Sequence, residues 1–435
     1  MNMNMNMNMN MNMNTDVDVD KMMRRLYDPL YGLIEITPLM QQFIYTNEFQ
    51  RLRYLKQLGA TSYIFPSGTH TRFEHSIGVS YLAGEMMKYI QLNQPELSIT
   101  NRMIEIVRLA GLLHDIGHGA FSHLYDDYII DVSDKKHEER GKDIIQNMVE
   151  KYSIDITNEE LNDCLEMIDP SEEYKYNWLY QIVANKLNTI DVDKLDYIRR
   201  DVYHLGLSFS GNFDRLFKYC RVVWWNKYQV LAWDNKLIFD IYSLFHTRYR
   251  LHRQVLTHHR VKGIEYDIID ILKYMKSVKG YMMDEMDDTI LNSEDRYVKY
   301  KMSKIHTSSS WKCKEEYCIE YSGIEIDEIL KKCKIFENDY IIDYVDVGYS
   351  HTTTNPIYEV IYYNQDDIDS GYKITKEDNK MVGMIIPKDS YREIIVRMYM
   401  KNVDLKYMNN DRKITIYEKW KNCIKALEEY KNKIE

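Results

Sequence analysis

The sequence predicts a mainly α-helical body with a smaller α+β region at its C-terminal end. Apolar residues recur at helical spacing through most of 21–274. From Tyr340 the texture changes to short β-branched and aromatic runs parted by turn residues. A segment at 275–340, read as helix and loop, separates the two. The expected organisation is therefore a low-complexity tail at 1–20, a catalytic helical body at 21–274, the intervening segment at 275–340 and the α+β region at 341–435.

Each element has its own signal. Residues 1–14 are seven Met-Asn repeats with no face to bury, so a disordered tail is expected. "TNEFQRLRYLKQLG" reads as one amphipathic helix, with Thr46 as N-cap and Gly59 as stop. "NRMIEIVRLAGLLHD" is apolar nearly all round, the mark of a buried helix. "NWLYQIVANKL" and "FDIYSLFHTRYRLHRQVL" also read as helices. "YIIDYVDVGY", "PIYEVIYY", "YKIT" and "MVGMIIP" read as strands. "DSYREIIVRMYMKN" and "TIYEKWKNCIKALEEYKNKI" then read as helices.

Composition narrows the function. The chain has 435 residues and a formal net charge of -10, which disfavours a generic polyanion binder. A local basic cluster could still bind a small anion. The six cysteines are scattered, so reduced structural thiols are expected, Cys313 and Cys318 included, and no disulfide framework. No apolar run reaches the roughly 18 residues of a membrane span, and no secretory h-region opens the chain. An intracellular protein, cytoplasmic or nuclear, without membrane attachment is expected.

The chemistry concentrates in "GLLHDIGHGAFSH", which places His114, Asp115, His118 and His123 at the end of the buried helix. A borderline divalent metal takes imidazole and carboxylate ligands converging from separate elements. His114 and Asp115 adjoin, His75 in "TRFEHSIG" opens another helix, and "NTIDVDKLDYIRRD" carries Asp191, Asp193, Asp196 and Asp201. Asp193, Tyr197 and Asp201 recur every four residues and share one helical stripe. Any one piece alone would be a capping pair or a solvated turn. The order H, HD, D on predicted helices is what points to a metal.

That order resembles the HD-domain phosphohydrolase superfamily. "DPLYGLIEITPL", "FQRLRYLKQLG", "FPSGTHTRFEHSIGVSYLAGE", "AGLLHDIGHGAFSH", "IDVDKLDYIRRD" and "FHTRYRLHR" look like the catalytic region of the SAM- and HD-domain deoxynucleoside triphosphate triphosphohydrolases of animal cells. The likeness runs from about Arg24 to about His259 and continues weakly to about Asp404. No SAM domain is expected, since the Met-Asn tract stands in its place.

The resemblance implies an HD-domain fold that splits dNTP into deoxynucleoside and inorganic triphosphate. His75, His114, Asp115 and Asp193 would hold one divalent transition metal (Fe, Mn or Zn), and Mg would accompany the triphosphate. His137 in "KKHEERG" would protonate the leaving 5′-oxygen, with Asp126 and His123 orienting it and His118 in the site wall. Arg72, Lys194 and Arg248 match phosphate-binding positions. His252 faces the same way as Arg248, while Tyr197 and Asp201 match contacts to phosphate or sugar. Gln57 and Leu58 match the sugar pocket. Leu256 stands where the family has a tyrosine on the deoxyribose, and Thr257 where it has a glutamine near the base. An activating nucleotide is expected at Arg24, Tyr45 and Arg53. Tyr45 replaces the aspartate that reads guanine, and Glu48 is the nearby carboxylate that could take over. A homo-oligomer, dimer or tetramer, is implied.

Two alternatives stay open. One is an HD-type nucleotide phosphohydrolase acting on a monophosphate or another nucleotide. The other is a non-catalytic protein that binds nucleic acid or a partner, which the acidic balance does not favour.

Overall fold

The computed structural model describes residues 23–130, 135–208, 213–280, 285–307, 310–320, 326–349, 354–375, 391–401 and 408–434. The Met-Asn tract and the strand expected at "MVGMIIP" lie outside them. The chain opens with an antiparallel hairpin, β1 (Arg24–Asp28) and β2 (Gly32–Ile36). Asp28 closes its turn by accepting from the backbone N–H groups of Leu30 and Tyr31 at 2.8 and 3.2 Å.

Two short helices follow, α1 (Pro38–Ile44) and α2 (Asn47–Gln50). Thr46 caps α2 as expected, accepting from Phe49 N at 3.2 Å. The helix does not run to Gly59. It tightens to 3₁₀ at Arg51–Tyr54 and then becomes extended at Leu55. The cause is competition for the next amides: Lys56 N donates to the Asp287 carboxylate at 2.9 Å and Gln57 N to His70 O at 2.9 Å.

The core of the body is α3 (Arg72–Asn93) packed on α4 (Asn101–Leu113). Thr71 and Glu74 form a capping box at the start of α3, and Thr100 caps α4. The fully buried α4 face includes Val107, Leu109, Ala110, Leu112 and Leu113, matching its all-round apolar sequence. Next come α5 (His123–Tyr128), α6 (His137–Tyr152) and α7 (Asn158–Ile168). "NWLYQIVANKL" is not the expected helix but a 3₁₀ turn at Trp178–Gln181 followed by irregular chain. There, side chains take the backbone groups a helix would use. Asn185 Oδ1 accepts from the N–H groups of Leu187 and Asn188, and Gln181 bonds Lys175 O and Leu231 N.

Asp191 N-caps α8 (Val192–Leu205), accepting from Lys194 N at 2.9 Å. After α9 (Asp214–Lys218), β3 (Cys220–Trp225) and β4 (Tyr228–Asp234) form a hairpin inside the supposedly helical body. The helix α10 (Ile238–Leu251) then runs into a π turn at His252–Leu256. Next are α11 (His259–Lys279), α12 (Asp287–Leu291) and α13 (Arg296–Thr307).

The remaining elements are β5 (Trp311–Glu320), α14 (Ile326–Cys333), β6 (Ile335–Phe336), β7 (Tyr340–Gly348), β8 (Ile361–Asn364), β9 (Asp367–Lys373), β10 (Arg392–Lys401) and α15 (Asn410–Ile434). One sheet has the order β5-β10-β7-β6, and β3, β4, β8 and β9 close into a small barrel. Thus β5 lies in the segment read as helix and loop, and the barrel joins the helical body to the C-terminal region. "DSYREIIVRMYMKN" holds the strand β10, not a helix. It is central in its sheet, with Ile394, Ile395, Val396, Met398, Tyr399 and Met400 all buried, so the alternation that would mark a half-exposed strand is absent. The sheet packs on α14 and α15, where Cys333 and Cys423 are joined by a disulfide, against the expectation of reduced thiols throughout. Their spacing of 90 residues hid the pair.

Because β10 is filled on both faces, Ile395→Ala should lower unfolding free energy by about 2–5 kcal/mol. Leu33→Ala, at a 64% exposed position, should change it by less than about 0.5 kcal/mol. Chemical denaturation of the two variants checks the contrast.

Candidate active site

A cavity of about 590 Å³ opens where α3, the end of α4, α8 and α10 meet, a size that suits a nucleotide. His75 lies in the first turn of α3 and His114 directly follows α4, with Asp115 beside it. Asp193 lies in the first turn of α8. His75 Nε2 is 3.0 Å from Asp193 Oδ1 and 3.7 Å from Asp115 Oδ2. His114 Nε2 is 3.4 Å from both Asp193 Oδ1 and Asp115 Oδ1. Four donors from three helices therefore converge. Close helix packing makes this possible: a Cβ at Gly78 would collide with Asp196 and Arg200 of α8.

The other ring nitrogens set the lone pairs. His75 Nδ1 bonds Asp196 Oδ2 at 2.8 Å, and His114 Nδ1 bonds Gly111 O at 2.8 Å. Each Nε2 is thus aimed at the cluster, the arrangement by which outer partners orient metal ligands. His114 Nε2 is buried and makes no hydrogen bond. Burial opposes a charged His75, yet the hydrogen bonds to Asp193 and Asp196 carry it up to about 10. Burial likewise opposes ionised Asp193, but His114 and His75 hold its carboxyl below the usual range. A buried group of carboxylates that draws protons onto imidazole is one a cation suits, and His75, His114 and Asp193 form a group that could hold a metal ion.

A second cluster adjoins the first. His137 at the start of α6 bonds Asp126 Oδ2 through Nδ1 at 2.7 Å. His118 stacks on His137 with ring centroids 4.0 Å apart, and His123 meets it edge-on at 6.2 Å. Backbone proximity brings α6 here, since a Cβ at Gly117 would overlap His137 O and Gly141. Phe121 and Ser122 both have left-handed φ, 57° and 55°, a conformation costing about 1–3 kcal/mol each in non-glycine residues. Burial, with Arg72 and His137 close by, pushes His123 down to about 4 and His118 well below its ordinary value. Both shifts favour the neutral imidazole. His118, Asp126 and His137 also have metal-like spacing. Both oxygens of Asp126 are already taken, Oδ1 by Arg140 and Oδ2 by His137 Nδ1.

Four cations line the cavity, of which Lys262 is paired with Glu265 at 2.5 Å. Arg72 pairs with Asp115 and donates to Ser122 Oγ at 2.7 Å. Lys194 donates to Thr189 O, and burial pushes its ammonium down. Arg248 donates to Gly348 O at 2.6 Å and is only 2% exposed, so it is no solvated helix face. Tyr197, Asp201, His252, Leu256, Thr257, Gln57 and Leu58 share the cavity wall. Gln57 Oε1 is buried without a hydrogen-bond partner. Asp201 Oδ1 lies 2.7 Å from His70 Nε2.

The residues expected at an activating site lie on the surface. The Arg24 guanidinium sits 5.0 Å from the Tyr45 ring centroid, and Arg53 sits 3.5 Å from that of Phe73. Glu48 is engaged by Lys151 Nζ at 2.8 Å and Tyr152 OH at 2.9 Å.

Sequence reasoning missed the roles of Asp196, His70, Ser122 and Arg140. Asp196 and His70 stand within quoted motifs. Only the fold shows that Asp196 turns away from the cavity to hold His75.

Comparison with known proteins gives the same outline. A family model described as HD domain matches residues 72–200. The deoxynucleoside triphosphate triphosphohydrolase SAMHD1 of Gallus gallus is 32% identical, covering 88% of this chain and 73% of its own. A homologue of that enzyme in Dictyostelium discoideum is 31% identical over 88% and 78% of the two chains. The Homo sapiens protein is 31% identical over 88% and 71%.

His114→Ala and Asp193→Ala should each lower the metal content of the purified protein. Loss of one donor leaves the others in place but weakens affinity, by about 10–100-fold even for outer partners and more for a ligand. Elemental analysis of protein purified without chelator checks this, and full metal content in both variants would refute the cluster.

Proposed function

The chain belongs to the family of the deoxynucleoside triphosphate triphosphohydrolase SAMHD1, and from that premise we propose that it hydrolyses deoxynucleoside triphosphates to deoxynucleoside and inorganic triphosphate. The observation that carries this reading is one cavity lined by a group that could hold a metal, by His137 with Asp126 behind it, and by four cations.

His75, His114, Asp115 and Asp193 would hold one divalent metal. Iron, manganese and zinc all suit two imidazoles and two carboxylates, with Mg accompanying the triphosphate. When bound it supplies Lewis-acid charge at the α-phosphate. Water adds its oxygen to the α-phosphorus and releases a proton to solvent, the bond from that phosphorus to the 5′-oxygen breaks, and the proton that His137 gives up is regained from solvent. Arg72, Lys194 and Arg248 bind the triphosphate charge and hold it in line for this displacement. His137 delivers a proton from Nε2 to the departing 5′-oxygen, because its Nδ1 is committed to Asp126. Asp126 is held ionised by His137 and Arg140 against the cost of its burial, so it stabilises the protonated imidazole. Neutral His118 and His123 pack beside the acid without competing for its charge.

The sugar lies against Leu58, Tyr197 and Leu256, and Gln57 Oε1 accepts from its hydroxyl group. Leu256 packs less surface on the ring than a tyrosine would, which weakens discrimination against a 2′-hydroxyl.

Incubation with a dNTP panel should release triphosphate rather than orthophosphate. Orthophosphate would favour the monophosphate-type HD hydrolase. His137→Ala should slow turnover by about 10²–10⁴-fold while metal and dNTP still bind. Wild-type turnover in that variant would exclude His137 as the acid.

At the surface site, we propose a triphosphate held by Arg24 and Arg53 in a homo-oligomer, dimer or tetramer. Tyr45 cannot accept both guanine donors, and Glu48 is spent on Lys151 and Tyr152. The protein should therefore turn over dATP without GTP or dGTP. Steady-state rates with and without either nucleotide check this, and strict guanine dependence would overturn it.

A further inference from the structure

Asp287 is completely buried at the start of α12, outside the cavity and 94 positions beyond Asp193. Both of its oxygens are used on backbone amides. Oδ2 accepts from Lys56 N at 2.9 Å and Oδ1 from Phe121 N at 2.8 Å. Those amides belong to two different rims of the cavity. Lys56 precedes Gln57 and Leu58, which line it. Phe121 opens the left-handed pair Phe121–Ser122, which leads into His123 and offers Ser122 Oγ to Arg72. Among the described residues, the other hydrogen bond between the two rims is a long one, Ser122 Oγ to Lys56 O at 3.5 Å.

A buried carboxylate is costly unless hydrogen-bonded, and these amides would be orphaned without it. The arrangement is geometrically specific. Both amides point at one side chain, so the rims cannot separate or slide without breaking one of two charge-assisted bonds. The left-handed backbone at Phe121 and Ser122 needs such an external restraint.

We propose that Asp287 is a positioning residue that clamps the Lys56–Leu58 rim to the Phe121–His123 rim and so sets the width of the cavity. Its consequence for turnover rests on the reading of the cavity as a dNTP site; the clamp itself does not.

Asp287→Asn tests both parts. A carboxamide has one acceptor oxygen, so it can serve one amide while its NH₂ opposes the other. Hydrogen exchange followed by mass spectrometry should show about tenfold or faster exchange in peptides spanning 55–58 or 119–123. Peptides of α3 and α4 should be unchanged. In the same variant kcat/KM for dNTP should fall by about tenfold or more, and the dNTP-to-rNTP preference should fall with it. Asp288→Asn, at the exposed neighbour, should change neither reading. Unchanged exchange in both peptides would overturn the clamp. Altered exchange with unchanged kinetics and preference would overturn its positioning role. A wild-type protein that hydrolyses no dNTP but shows the exchange effect would support the clamp and refute the dNTP reading. If the variant does not fold, the wild type still decides: fast exchange at Lys56 and Phe121 would refute the proposal, and slow exchange would support it.

Discussion

The buried carboxylate of Asp196 is the constraint on which the rest depends. It is fully enclosed on α8 and bonds His75 on α3, Arg200 one turn further along α8, and the Tyr31 hydroxyl of the β1–β2 turn. Arg200 in turn reaches Asp28 in the same hairpin at 2.9 Å. One network thus bolts three elements and sets the ring angle of a candidate ligand. Removing one member of such a network leaves buried charge without a partner, which costs about 3–5 kcal/mol. Structure and site therefore stand on the same atoms, and a change at Asp196 could not damage one and spare the other.

The neighbouring imidazoles divide by what faces them. His75 and His114 face carboxylates and are drawn toward protonation when no cation is present. Burial pushes His118 and His123 toward the neutral form, and Arg72 and His137 add to it against the pull of Asp115, 3.3 Å from His118. His137 stands at the border, with Asp126 on one nitrogen. Arg72 is the divider, pairing with Asp115 on one side and raising the cost of a positive charge on the other. Five histidines of one residue type thus receive different tasks from position alone.

The convergence of the candidate site residues was legible in the sequence because each of the motifs is local. His114 and Asp115 adjoin, and Asp193, Tyr197 and Asp201 repeat at helical spacing, so their convergence needed only correct helices. What failed was set by distant groups. The helix expected through "QRLRYLKQLG" stops because Asp287 takes the amide of Lys56, 231 residues earlier in the chain. The strand β10 looked helical because its burial on both faces removes alternation: Ile394, Val396, Met398 and Met400 pack with α14 and α15, and Tyr399 packs with α11. The Cys333–Cys423 bond joins two helices that no spacing rule relates. The separation of Asp193 from Asp196, candidate ligand from orienting group, depends on which side of α8 meets α3.

The cavity's charge must be reconciled with a net charge of -10 over the whole chain. Arg72, Lys194 and Arg248 are all nearly buried, and burying a cation costs several kcal/mol unless an oxygen meets it. Each has such an oxygen: the Asp115 carboxylate, Thr189 O and Gly348 O. Two of the three are neutral carbonyls, which a phosphate oxygen surpasses as a partner because it is ionised. A triphosphate entering the cavity would exchange weak acceptors for strong ones, its own negative charge being set against cations that are already buried. An acidic exterior repels a long polyanion along its whole length. A short one needs only the enclosed cations, whose field is strengthened by low-dielectric walls. Carboxylates outnumber Lys and Arg in the cavity wall, Asp115, Asp191, Asp193 and Asp201 among them, so anion binding there depends on where the individual cations stand and not on a net positive charge.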